Sequence, residues 1–484
     1  MSGPDPTFLT AAAELLGPRG FTRDPDQLAP WLTDWRGRYT GQACALASPA
    51  STAEVAALVA LCAHHSVPIV PQGGNSGMSG GATPDASGTA LLLSLRRLDR
   101  IGPVDRAARQ VTCGAGAILQ HLHDAAHVAQ LRFPLTLGGK GSATVGGLIA
   151  TNAGGSQVLR HGSMRAQVLG LEAVLADGTV WSALTPLKKD NRGFDLKQLF
   201  IGSEGTLGII TAATLKLEPA VAQRTVVWAG LASIKDARHL LLQAEAALGD
   251  ALEGFEVIPA NCLDAVLAQV TSARAPLSGP HAWHALIELV SSDPAADLAG
   301  QAERVLAAAL AGGIIEDATI AASESQAEAF WTLRESISGA LRAKGAAVQH
   351  DIAVPVAQMA AFMTMAVPTV EQAWPGCRAF GFGHLGDGNV HFHVTAPPGA
   401  VRGEWEPGDG KAISRMVHDL VTQWHGSISA EHGIGQMKRD ELARLGDPVA
   451  LDLLARIKAA LDPERLLNPG KLLALALAPR GASA

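Results

Sequence analysis

Two glycine-rich segments constrain this chain more than any other feature. The first reads Gln72-Gly73-Gly74-Asn75-Ser76-Gly77-Met78-Ser79-Gly80-Gly81. The second reads Leu137-Gly138-Gly139-Lys140-Gly141-Ser142-Ala143-Thr144-Val145-Gly146-Gly147 and runs on to Asn152-Ala153-Gly154-Gly155. Ser51-Thr52-Ala53-Glu54 has capping-box spacing, so a helix is predicted from there to about residue 65. A short strand over 67–70 follows, and the first glycine loop comes straight after it. Successive backbone N–H groups in such a turn point inward and bind phosphate oxygens. One glycine-rich loop alone is more often just a tight turn. Two of them, with Ser76, Ser142 and Thr144 as hydroxyl donors, point to one diphosphate bridging both. Neither loop gives G-x-G-x-x-G and no G-K-[ST] occurs, so neither a Rossmann nor a Walker site is expected.

A second constellation carries chemistry of another kind. His384 and His391 lie in Gly383-His384-Leu385-Gly386-Asp387-Gly388-Asn389-Val390-His391-Phe392-His393, and Glu431 lies in Ser429-Ala430-Glu431-His432-Gly433. Two imidazoles and a carboxylate are the ligand set of a divalent ion that keeps open positions for substrate. His432, beside the carboxylate, is placed to move a proton. The bland alternative is a pair of surface loops with turn glycines.

At 484 residues the chain is too long for one core, and two or three domains are expected. Net charge is −7 with no basic cluster, which argues against a nucleic-acid partner. The 5 cysteines are scattered and never form C-x-x-C, as in a reducing compartment. The N-terminal apolar stretch is short and carries Glu14, so no secretory signal is expected. The apolar segment over 140–160 is too rich in Ser, Thr, Asn and Gly to span a membrane. These features predict a cytoplasmic protein without a transmembrane segment.

Strands are predicted over 91–95 and 110–113, a helix over 118–129, and a hairpin around Asp177-Gly178. Gly202-Ser203-Glu204-Gly205-Thr206-Leu207-Gly208 opens a strand over 209–217. Beyond Pro219, strands over 226–228, 253–257, 283–289 and 314–318 alternate with helices over 234–248, 260–269, 297–310 and 323–341. That pattern predicts an α+β domain whose antiparallel sheet has helices on one face. Two strands flank the His loop, and helices follow over 411–425, 436–443 and 451–461.

Together these motifs make the chain resemble a known family. The two glycine loops, Ala150-Thr151-Asn152-Ala153-Gly154-Gly155 and the segment 202–208 resemble the FAD-binding domain of the vanillyl-alcohol oxidase type. The His loop, residues 429–433 and Leu467-Asn468-Pro469-Gly470-Lys471 resemble its D-2-hydroxyacid dehydrogenase branch. The resemblance covers roughly residues 40–475. It implies an α+β chain: a two-subdomain FAD-binding domain over 1–220, a substrate or cap domain over 221–410, and a C-terminal helical segment over 411–484 that completes the active site. FAD is expected on Pro71, Gly73, Gly74, Asn75, Ser76, Gly77, Ser142, Thr144, Gly147, Asn152, Gly205, Ile210 and Asn468. Asn75 stands where some relatives carry a histidine that attaches the flavin, so a noncovalent cofactor is expected.

The reaction implied is oxidation of a D-2-hydroxy acid, D-2-hydroxyglutarate first, with D-lactate or a glycolate-oxidase-like subunit as alternatives. Hydride goes to the flavin and the hydroxyl proton to His432. The ion on His384, His391 and Glu431 is expected to be zinc, with manganese or iron also compatible. Arg334 matches the family's carboxylate-gripping arginine, and Ser338, one turn on, assists it. Gln349 replaces the lysine that hydroxyglutarate enzymes use for the distal carboxylate. His393 replaces their asparagine. Electron-transfer flavoprotein, a quinone or a cytochrome is the expected acceptor, and a homodimer is expected. A metal-dependent hydrolase leaves both glycine loops unexplained. A non-catalytic flavoprotein subunit is the other rival.

Overall fold

The predicted capping box forms. The Ser51 hydroxyl accepts from Glu54 N at 3.2 Å, the Glu54 carboxylate accepts from Ala50 N at 2.7 Å, and the helix runs Thr52–His64. The next strand, Ile69–Gln72, starts two residues later than the sequence reading and leads directly into the first glycine loop. This is a computed structural model, and it describes residues 5–187 and 189–474. The chain divides into two units. One comprises Met1–Gly154, Gly162–Pro219 and Glu431–Ala484; the other comprises Gly155–His161 and Ala220–Ala430.

The first unit holds two four-stranded sheets, each with its own apolar core. In one, the buried strand Leu91–Ser94 runs parallel to both Ala45–Ala47 and Ile69–Gln72. The other is antiparallel, ordered Gln110–Gly114, Ile209–Lys216, Val168–Val174 and Val180–Ala183. Its last two strands are the expected hairpin, turning at Gly178 with φ +88°. The chain returns late to the first sheet: Leu467 bridges Ile69 in parallel.

The second unit is built on a seven-stranded antiparallel sheet. Its order is Asp317–Ile320, Gln223–Leu231, Trp283–Ser291, Leu252–Pro259, Arg378–His384, Asn389–Thr395 and Ala347–Ala353. Helices cover both faces, which corrects the one-faced arrangement expected. Val227, Ala229, Phe255 and Val257 pack against helices Ile234–Leu248, Leu298–Ala311, Met359–Ala373 and Lys411–Gln423. Trp228, Ile258, Leu286 and Phe382 pack against Ala260–Gln269 and Glu324–Ala343. The physical sign is that Leu252–Pro259 is buried at every position, as strands covered on both sides are. The division drawn from sequence, with 411–484 set apart, differs from this one. Residues 411–430 belong with the seven-stranded sheet and those from Glu431 onward with the glycine loops.

Among the described residues no helix is long and apolar enough to cross a membrane. The cysteines are free thiols, all buried except the half-buried Cys44.

His284 gives this sheet a measurable pH signature. Its Nδ1 accepts from Trp228 Nε1 at 3.1 Å, and burial, helped by nearby His281, pushes the imidazole down to about 4. A histidine depressed on folding stabilises above its unfolded value and loses that contribution as pH falls toward the folded one. From an unfolded value near 6.5, the expected loss between pH 7 and pH 5 is about 2 kcal/mol. Urea unfolding at both pH values checks this, since His284→Gln is expected to remove that increment from the pH slope.

Candidate active site

The two glycine loops pack against each other. A Cβ on Gly73 would lie 2.2 Å from Thr144 Oγ1, and one on Gly74 would lie 1.7 Å from the Ser142 carbonyl oxygen. Gly139 in turn faces Ser76. Gly205, at φ +71°, lies where a Cβ would be 2.5 Å from Pro71 Cγ. Asn468 joins the same neighbourhood, its Nδ2 donating to Gly81 O at 3.0 Å and Glu204 O at 2.7 Å. Gly77, Gly138 and Gly141 face open space among the described residues. The Thr144 hydroxyl is buried with no hydrogen-bond partner among the described residues. Open glycine backbone beside an unspent buried donor fits a diphosphate. Three expected contacts are more committed to the fold. Asn152 Oδ1 accepts from Ser163 Oγ at 3.0 Å and Arg165 N at 2.9 Å. The Ile210 side chain sits in the core of the antiparallel sheet. Asn75, at φ +52°, spends its Nδ2 on Thr33 O at 2.9 Å.

The loop after His432 is stitched to this cradle. Ser79 Oγ lies 3.2 Å from His432 O and 3.0 Å from Gly433 O. The Ser79 carbonyl accepts from Gln436 N at 3.1 Å and Met437 N at 3.2 Å. Glu204, buried, accepts from Ile434 N and Gly435 N at 2.7 Å each. Burial pushes the Glu204 carboxyl up while those two amides pull the other way. Sequence reasoning quoted Glu204 inside its motif yet assigned it nothing. A carboxylate between glycines after a helical turn was the available signal.

A second cluster lies on one face of the seven-stranded sheet. Strand register puts it there: Glu256 pairs with His384, Phe382 and Asp351 both pair with His391, and Phe380 and Gln349 both pair with His393. Directly paired residues share a face. The His384 and His391 ring nitrogens lie within 4.8 Å of one another. Glu256 is fully buried and binds two groups at once. Arg334 Nε donates to its Oε2 at 2.7 Å, and His384 Nδ1 meets its Oε1. Burial opposes ionisation of Glu256, but the Arg334 guanidinium and the His384 ring outweigh it and hold the carboxyl well below its usual range. Burial, with Arg334 and His384 nearby, holds the His391 imidazole well below its usual range. The terminal nitrogens of Arg334 have no hydrogen-bond partner among the described residues, and its Cζ lies 5.0 Å from the Phe382 centroid. Ser338 follows one turn later on the same helix. Gln349 Nε2 and His393 Nδ1 are 3.4 Å apart. His350 binds Phe392 O and Ser414 Oγ at 2.9 Å each.

Glu256 and Asp351 escaped sequence reasoning. A glutamate in an otherwise apolar strand was the signal, since buried charge must be paired. Glu253 repeats it: Arg160 and Gln157 hold its carboxylate at 3.1 and 3.0 Å. Asp351 Oδ1 accepts from Asn389 Nδ2 at 2.9 Å. Glu431 lies one residue past Ala430, whose N–H donates to Asp351 O at 3.3 Å.

Comparison with known proteins identifies the family. The family described as "FAD linked oxidases, C-terminal domain" matches residues 221–472, and a "FAD binding domain" matches residues 43–183. The chain belongs to the FAD-linked oxidases. This FAD-linked oxidase is 37% identical over 462 residues to a probable mitochondrial D-2-hydroxyglutarate dehydrogenase of Oryza sativa subsp. indica, spanning 95% of this chain and 80% of that one. It is 36% identical over 469 residues to the mitochondrial D-2-hydroxyglutarate dehydrogenase of Bos taurus, spanning 96% and 83%. The fold is that of p-cresol methylhydroxylase with substrate bound, at TM-score 0.75 over 96% of both chains and 15% identity. The expected α+β fold of the vanillyl-alcohol oxidase type is therefore borne out. The cytoplasmic expectation is not: the rice and bovine relatives are mitochondrial enzymes. A missing signal pattern in the sequence was too weak a basis for it.

The loop contact at Gly74 now has a readout. Overpacking against the Ser142 carbonyl costs about 1–3 kcal/mol. In Gly74→Ala the expected result is FAD affinity weakened about tenfold to a hundredfold. Flavin-to-protein absorbance ratios and titration of apoprotein check it.

Proposed function

We propose that this chain oxidises D-2-hydroxyglutarate, the first choice among D-2-hydroxy acids, to the 2-oxo acid. The chain is an FAD-dependent dehydrogenase acting on a CH–OH group. The observation that supports the substrate class is the sheet face where Arg334, fixed at Nε by buried Glu256, keeps its terminal nitrogens available beside two histidines. A guanidinium held at one edge presents the other as a planar fork, which suits a carboxylate. Ser338 assists from the next turn, and Gln349 with His393 lines the far side of the substrate. His432 takes the hydroxyl proton as general base, its backbone carbonyl held near Ser79 Oγ.

When bound, FAD accepts the hydride from the α-carbon. A divalent ion, zinc first, is proposed on His384, His391 and Glu431, where it would acidify the substrate hydroxyl and orient it. The donor set fits: Glu256 engages His384 Nδ1, leaving Nε2 for an ion, as a metal-binding histidine's partner does. Electron-transfer flavoprotein, a quinone or a cytochrome is the proposed acceptor, and a homodimer the proposed assembly.

One observation favours D-lactate as a second reading. Gln349 and His393 face each other where the diacid reading wants a cation. Dye reduction with a panel of D- and L-2-hydroxy acids tests both. The expected result is turnover of D-isomers with D-2-hydroxyglutarate best. Turnover of no 2-hydroxy acid overturns the proposal.

A further inference from the structure

Two cations ride over two phenylalanines of one strand. Arg334 Cζ lies 5.0 Å from the Phe382 centroid, and Lys344 Nζ lies 5.5 Å from the Phe380 centroid. Phe380 and Phe382 are two residues apart in Arg378–His384, so they share a face and stand about 6.8 Å apart along the strand. Their register partners on the next strand are His393 and His391. Gln349 lies opposite His393 on the strand beyond. Cys262, buried on the helix Ala260–Gln269 that packs on this face, reports the same placement. Burial raises its thiol, and Arg334 and Lys344 both pull against that rise.

The spacing carries chemical information. Four carbon–carbon bonds separate the carboxyl carbons of a five-carbon diacid, about 5 Å when extended. Two cations held over rings that stand one strand repeat apart suit such a molecule with a hydrogen bond at each end. Arg334 takes the carboxylate beside the histidines and the reacting carbon. The charge that Gln349 does not supply then comes from a neighbouring element. We infer that Lys344 is the specificity-determining cation for the distal carboxylate of a dicarboxylic 2-hydroxy acid. The inference rests on the oxidation proposed above and names the substrate class at that site. The Lys344 side chain is exposed, so it acts from the rim. Its contact with the Phe380 ring is weak at an exposed position, and a charge-assisted hydrogen bond to carboxylate outcompetes it.

The test is Lys344→Met and Lys344→Arg in the flavin-loaded protein, with D-2-hydroxyglutarate and D-lactate as probes. Steady-state kinetics are read beside calorimetric binding of 2-oxoglutarate and pyruvate. Lys344→Met keeps the aliphatic stem and removes the charge. The expected result is a KM for D-2-hydroxyglutarate and a Kd for 2-oxoglutarate raised about tenfold to a hundredfold. On D-lactate kcat and KM stay unchanged, and Lys344→Arg restores most of the diacid preference. Equal shifts for diacid and monoacid, no shift in Lys344→Met, or no diacid binding by wild type overturns the inference. Diacid binding that depends on Lys344 without any turnover instead overturns the oxidation reading and leaves the recognition site standing.

Discussion

His432→Asn is expected to lower kcat about a thousandfold, within the range for losing a general base, while flavin content stays at the wild-type level. The separation of effects follows from how the loop is held. Ser79 Oγ reaches the backbone carbonyls of residues 432 and 433, and Glu204 holds the amides of Ile434 and Gly435. None of these hydrogen bonds uses the imidazole, so asparagine inherits the anchored backbone. Stopped-flow reduction of the flavin isolates the chemical step from reoxidation. A variant that reduces its flavin at the wild-type rate shows that the base is another group.

Arg334→Met is expected to cost about 3–5 kcal/mol of stability, the range for breaking a buried ion pair, and to abolish detectable turnover. The carboxylate of Glu256 is fully buried, and the charge of Arg334 is the largest single influence that keeps it ionised. The cost therefore belongs to the abandoned anion more than to the lost contact. Glu256→Gln combined with Arg334→Met removes that anion. The double variant is expected to regain most of the lost stability and none of the activity, since the carboxylate fork is still missing. Urea unfolding beside dye reduction measures both. A double variant as unstable as the single one shows that packing of the guanidinium over Phe382, not charge, sets the cost.

Local signals were the legible ones. The helices Ile234–Leu248 and Ala260–Gln269 were read to the residue, and the hairpin turned where Asp177-Gly178 stood. Pairing was less legible. Ala347–Ala353 went unread as a strand, although it is the edge that brings Gln349 opposite His393. Met359–Ala373 went unread as a helix, with Pro368 inside it. Alternation along a strand says which residues share a face, but not which strand lies beside it. Leu252–Pro259 pairs with Arg378–His384, far away in sequence, so Glu256 had no visible partner until the sheet order was known. The site was legible as motifs, because glycines and histidines advertise themselves. The buried acids Glu204 and Glu256 were not, because each acts through a contact that only the tertiary fold creates.

An FAD-dependent D-2-hydroxyacid dehydrogenase must pass hydride from its substrate to its own flavin. Anaerobic titration of the purified yellow protein with D-2-hydroxyglutarate, followed by absorbance, addresses it directly. The expected result is stoichiometric bleaching of the flavin band by the D-isomer and none by the L-isomer. A flavin left oxidised by D-2-hydroxyglutarate and D-lactate alike, or protein isolated without flavin that binds none when FAD is supplied, contradicts it.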